Sequence, residues 1–257
     1  MLVPVTTTIE PNTWRWWTFL RAASVLNFVL LGLTAALAWP IKQSAGIHLA
    51  CATIYTIVCA FRSFCPRVDL ERTVLIDHPL SSIALGRTSA TIAEMAFTVQ
   101  MSLFAVSLGT GLEALAWSLV PLIALAQTAC WTAVVTLDHR WHAMEELLWG
   151  AAMVILAVIF ARALPGEGIY RWLLPLGLVG CGLGAFVMLI LDVPMYFKRH
   201  AAEKEKGTRF LPIGEGIRDA ISRREPTGAW ETWKHEVAWM TPYFSACVWL
   251  SIAAVWL

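Results

Sequence analysis

The chain has 257 residues, 58% of them hydrophobic and only 14% charged, with a formal net charge of +1. Soluble domains carry about 25% charged residues, so this composition excludes an ordinary soluble domain, and the near-zero net charge gives no electrostatic footprint for a nucleic-acid partner. Several uncharged apolar runs approach the ~20 residues that cross a bilayer as a helix, and none alternates with the period of two that a transmembrane strand needs.

The expected fold class is therefore all-α: a polytopic membrane helical bundle of about seven transmembrane helices, forming one integral domain over residues 1–257, with interfacial helices on the cytoplasmic face. Residues 1–13 are a polar lead without the basic segment of a cleavable signal, so the first span is expected to be retained. Trp14, Trp16 and Trp17 with Arg15 and Arg21 read as an aromatic and basic collar at headgroup level. The first span follows at about 18–39, ended by Pro40, and a short second span at about 46–61, where Lys42 and His48 are placed to snorkel.

Residues 62–89 form the first sizeable loop. Val68, Leu70, Val74 and Leu75 among its charges predict a helix lying at the interface. The third span covers about 90–108, its helix starting as early as Ser81, and Gly109-Thr110-Gly111 is a tight turn. A fourth span at about 115–136 leads into the polar stretch Thr136–Gly150, and the fifth follows at about 147–164. Pro165-Gly166 turns the chain into a sixth span at about 171–191, closed by Asp192, whose glycines Gly177, Gly180, Gly182 and Gly184 suit close helix packing. In the long loop 194–236, Trp230, Trp233 and Val237 are spaced i, i+3, i+7, which predicts a second interfacial helix. The last span covers about 237–257. Most of the fourteen tryptophans fall near these span ends, as belt residues do.

With seven spans, the N-terminus and the loops 62–89, 137–146 and 194–236 share one side. Of 19 Lys and Arg, only Lys42, Arg162 and Arg171 lie toward the other, leaving 16 on the first. The positive-inside rule makes that side cytoplasmic, with the C-terminus on the opposite side.

The stretch Thr136–Gly150 carries the main chemical signal. On a helix, His139, His142 and Glu146 share one face at i, i+3, i+7. Two imidazoles and a carboxylate suit non-haem iron or zinc with open positions, so Zn or Fe is the expected cofactor class. His78 or His235, from loops at the same depth, is a candidate additional ligand, and Glu145 a candidate acid–base group beside His139, His142 and Glu146. Glu145-Glu146 ahead of an apolar run resembles the Glu-Glu-x-x-x-Arg motif of CAAX-type membrane proteases. However, Gly150 stands where the arginine belongs and the later histidine motifs are absent.

Glu94 lies inside the third span, sharing a face with Arg87 and Thr91 at i, i+4, i+7. An ionisable residue there faces the bundle interior or a cavity, so Glu94 is a candidate proton acceptor, with Arg87 its natural partner. Gln100 and Gln127 read as interhelical hydrogen bonds. Arg62, Arg67, Arg72 and Arg87 are candidate ligands for a phosphate or lipid headgroup. The six cysteines contain no CxxC pair and read as small buried hydrophobes.

Two function classes follow. One is a membrane-embedded enzyme acting on a lipid or other apolar substrate, with His139, His142, Glu145, Glu146 and Glu94 as ligands or acid–base groups. The alternative is a non-catalytic membrane subunit that scaffolds a larger complex or binds lipids or pigments. The expected partners are the bilayer, a lipid or apolar ligand, and other subunits of a membrane complex.

Overall fold

A computed structural model of the chain describes residues 8–38 and 45–257. The predicted end of the first span at Trp39 and Pro40, and Lys42, lie outside the described residues. The fold is all-α. Helix α1 covers Pro11–Ala38, α2 Ala45–Phe64, α3 Ile83–Ser107, α4 Glu113–Thr136, α5 His139–Arg162 and α6 Tyr170–Phe186. A π-helical segment, Val187–Asp192, joins α6 to α7 (Val193–Glu205), and four short helices follow: α8 (Ile213–Ser222), α9 (Trp230–Trp233), α10 (Val237–Phe244) and α11 (Ala246–Ala253). Among the described residues, sheet is confined to three two-residue strands, β1 (Arg67–Val68), β2 (Thr73–Val74) and β3 (Glu225–Pro226). β1 pairs antiparallel and β3 parallel with β2.

Among the described residues, six helices are long and apolar enough to cross a bilayer: Pro11–Ala38, Gly46–Phe64, Ile83–Ser107, Glu113–Thr136, His139–Arg162 and the continuous Tyr170–Glu205. The chain is a multi-pass integral membrane protein. It divides into two compact units, Met1–Gln100 with Ile217–Leu257, and Met101–Gly216.

In the first unit, Leu20, Tyr55, Ala93, Trp233, Phe244 and Val248 meet in one core. Pro11 opens α1, where a missing N–H costs nothing. Trp16 and Trp17 are buried rather than set at a lipid interface. The Trp16 indole donates to Thr241 Oγ1 and its ring lies tilted against that of Trp233 at 5.7 Å, and Trp17 donates to the Ser63 carbonyl. Trp14 is exposed, whereas the indole N–H groups of Trp16 and Trp17 find their partners inside the protein. Gln100 makes the interhelical bonds expected of it, donating to the carbonyls of Ser251 at 2.8 Å and His48 at 3.2 Å.

The two segments expected to form interfacial helices are built differently. Residues 68–75 are not helical. β-Branched Val68, Thr73 and Val74 pair as strands, and Arg72 turns the chain at φ 56°. The stripe Trp230, Trp233, Val237 packs on the first unit's core, with Trp233 fully buried and its indole donating to the Thr227 carbonyl. An exposed apolar row of the kind that lies on a membrane surface belongs instead to α8, where Ile213, Ile217 and Ile221 recur every fourth residue.

The seventh apolar segment is broken. α10 and α11 together form a 17-residue apolar stretch, Val237–Ala253, interrupted at Ser245. Buried Asn27 bridges the break, donating to the Phe244 carbonyl at 2.9 Å and accepting from the Trp249 indole at 2.8 Å. A backbone group freed from the helix ladder is thus answered by a side chain from α1, as burial requires.

In the second unit, α5 packs between α4 and α6. A Cβ on Gly150 would fall 2.5 Å from Leu189, and one on Gly177 would fall 2.9 Å from Phe160, so both glycines permit close helix contact. Gly109 and Gly111 make the expected turn with φ of 61° and 77°. The sixth helix does not close at Asp192. The π-helical segment re-phases the hydrogen-bond pattern just before Pro194, which cannot donate, and the helix runs on to Glu205.

Candidate functional site

The polar stretch is the junction of α4 and α5. Leu137 adopts a left-handed conformation, φ 59°, and its N–H returns to the Ala133 carbonyl, closing α4. Buried Asp138 then caps α5, accepting from the Arg140 amide at 3.0 Å. Two helical residues later the chain is committed to the 3.6 period, which sets His139, His142, Glu145 and Glu146 on the first two turns of α5.

Three elements meet at this junction. From α5, His142 Nδ1 lies 2.7 Å from Glu145 Oε2. From α7, Tyr196, His200 and Glu203 are spaced i, i+4, i+7 and face α5. His139 Nε2 lies 3.0 Å from Glu203 Oε1, His200 Nδ1 lies 2.7 Å from Asp138 Oδ1, and the Tyr196 ring packs against both His139 and His142. From α4 comes Cys130, 1% exposed. Its sulfur and one ligand atom each of His142 and Glu145 lie within 4.8 Å of one another. Metal bonds of ~2.0–2.3 Å to each donor span nearly that separation. A cysteine sulfur, an imidazole and a carboxylate form a donor set suited to zinc.

The carboxylate standing at His142 is thus Glu145. Glu146, half-buried one residue on, is outside the convergent set. His139 is carried to the same end of the unit and pairs with Glu203, while its buried Nδ1 takes no hydrogen bond among the described residues. His78 and His235 belong to the first unit. His78 Nδ1 accepts from the Leu80 amide, and His235 is exposed. The further histidine at this centre is His200. The sequence does not mark it, because it falls in the stretch 194–236, whose charges predict a loop. Cys130 is unmarked too, because it lies twelve positions and a helix reversal away from His142, so no local spacing points to it.

The second set of candidate residues is in the first unit. Arg87 Nη2 lies 3.0 Å from Glu94 Oε1, and the Tyr243 hydroxyl donates to the same oxygen at 3.0 Å. Both partners of the ion pair are buried. Arg72 Nε pairs with Asp219 at 2.7 Å, and its Nη1 donates to the Asp69 carbonyl. Arg67 donates to the carbonyls of Cys65 at 3.1 Å and Ser82 at 2.6 Å. Burial, reinforced by repulsion from Arg62, pulls the Arg67 guanidinium down to about 10. Arg62 stands over the Phe244 ring at 5.7 Å. All four arginines are buried, which ordinary positive-inside charge is not.

Comparison of the chain with protein-family models, with curated proteins and with solved structures returns no match.

Proposed function

We propose that the protein is a membrane-embedded enzyme acting on a lipid or other apolar substrate, with a zinc-class metal ion held by Cys130, His142 and Glu145. The supporting observation is the convergence of these three donors, two of them buried, from two different helices. Three protein donors with an open fourth position are the pattern of catalytic rather than structural zinc. The neighbouring pairs His139–Glu203 and Asp138–His200 supply groups able to hold and move protons beside it. Iron remains the alternative occupant if His139 turns to join the set, since two histidines and a carboxylate suit it.

Metal analysis of the purified protein tests this. About one equivalent per chain is expected, falling at least tenfold in Cys130→Ser and in His142→Ala, whereas Glu146→Gln should retain it. Wild type that stays metal-free after zinc loading, or variants that keep their metal, would sink the assignment. The non-catalytic subunit would then become the better reading. One observation already favours it: Tyr170–Glu205 buries only 11% of its most apolar window, against 33–50% for the other five long helices, which leaves a face free for a partner helix.

We further propose that the basic side is cytoplasmic and that residues 237–257 cross the bilayer. The 17 residues of Val237–Ala253 span about 26 Å at ~1.5 Å per residue, and apolar Ala254 to Leu257 extend the run toward the ~30 Å hydrocarbon thickness. A reporter fused after Leu257 should read as external. A cytoplasmic signal there would mean that the broken helix re-enters, or that the protein is inverted.

A further inference from the structure

Four arginines are buried in the first unit, and among the described residues only two are answered by carboxylates. Arg72 has Asp219 and Arg87 has Glu94. Arg62, 5% exposed, makes no hydrogen bond and no ion pair among the described residues. Its guanidinium stands 5.7 Å from the Phe244 ring centroid, and its five N–H donors are spent on no acceptor among the described residues. Arg67, 1% exposed, spends two nitrogens on backbone carbonyls, and its Nη2 takes no partner among the described residues. Asp69 acts on Arg67 from beyond ion-pair distance and more weakly than the repulsion from Arg62. The segments 1–7 and 39–44 contain no Asp or Glu that could serve instead.

The place of Arg67 is built into the backbone. A Cβ on Gly86 would fall 2.4 Å from Arg67 Cδ and Nη1, so the first turn of α3 is bare where the guanidinium passes. The Phe61 ring lies 4.9 Å beneath it. Two desolvated cations that repel each other, with donors unspent, are strongly unfavourable without a counter-charge. Guanidinium forks fit the oxygens of a phosphate in pairs.

We propose that Arg62 and Arg67 form a binding site for a phosphate oxyanion at the end of α2, of the kind carried by an anionic phospholipid headgroup or by free phosphate. The exposed Phe64 ring next to this helix end offers an apolar surface to the tail of an amphiphile. The site lies within the first unit and stands independently of the proposed metal centre.

The test is thermal unfolding of the full-length protein in detergent, titrated with inorganic phosphate, with a short-chain phosphatidic acid and with the matching neutral diacylglycerol. Saturable stabilisation by either phosphate-bearing compound, but not by diacylglycerol or by sodium chloride at equal ionic strength, is expected. Stabilisation by both marks a site open to free phosphate, and by phosphatidic acid alone a headgroup site. Arg62→Gln and Arg67→Gln should each raise the half-saturating concentration at least about tenfold, the worth of one charge-assisted contact. Gly86→Ala, which keeps both arginines but displaces Arg67, should weaken binding in the same direction. An unchanged half-saturating concentration in the glutamine variants would overturn the proposal. So would wild type that shows no stabilisation and carries no phosphorus after purification.

Discussion

Glu94→Ala is expected to destabilise the protein by about 3–5 kcal/mol, the usual cost of removing one partner from a buried ion pair. Glu94 is 7% exposed and its Oε1 serves two donors, Arg87 and the Tyr243 hydroxyl, each at 3.0 Å. Alanine leaves the Arg87 cation without this counter-charge and the phenol without its acceptor. Glu94→Gln keeps an oxygen for Tyr243 and loses only the charge, so its cost should be smaller. The origin of the penalty can be isolated. If it arises from a stranded cation, Arg87→Met in the Glu94→Ala background should recover part of the loss, because a buried neutral side chain is tolerated where a lone buried charge is not. Thermal unfolding in one detergent compares all three. A Glu94→Ala protein that melts with wild type would show the carboxylate to be solvated, and the ion pair to contribute nothing.

Gly216→Ala should cost about 3 kcal/mol, the upper end of ordinary overpacking. A Cβ there would lie 1.6 Å from the Val135 carbonyl oxygen and 2.5 Å from its carbon. The obstacle is backbone, in the last turn of α4, and cannot rotate aside. The segment before it is already fixed to the same helix end, since the Leu211 amide donates to the Thr136 carbonyl at 2.9 Å. Gly214 is the control. A Cβ at that position meets nothing within 4 Å, so Gly214→Ala should change stability by less than ~1 kcal/mol, in the favourable direction if helix propensity decides. Equal melting of the two variants would show that residues 211–216 do not rest on α4. Because Val135 lies five residues after Cys130 on the same helix, loss of metal in Gly216→Ala alone would also link this contact to the proposed centre.

The membrane class, the positions of six long apolar helices and the Arg87–Glu94 pairing all follow from the sequence. Each depends on a local regularity: runs of apolar residues matched to bilayer thickness, and a 3.6-residue period that places residues seven apart on one face. The same period placed His139 and His142 at the start of α5. What the sequence could not determine depends on contacts between distant segments. Trp16, Trp17 and Trp233 look like belt residues until Thr241, Ser63 and Thr227 are seen to receive their N–H groups. The helix at 68–75 was expected from an apolar pattern that also fits strands, and pairing with Glu225–Pro226 decided between them. The carboxylate at His142, the arrival of His200 on α7 and the presence of Cys130 were set by how α4, α5 and α7 pack. Likewise, four arginines alike in sequence became two answered and two unanswered charges only when Asp219 and Glu94 took their places. A side chain's charge is written in the sequence, but whether that charge is compensated depends on which neighbours the tertiary fold brings within a few ångströms.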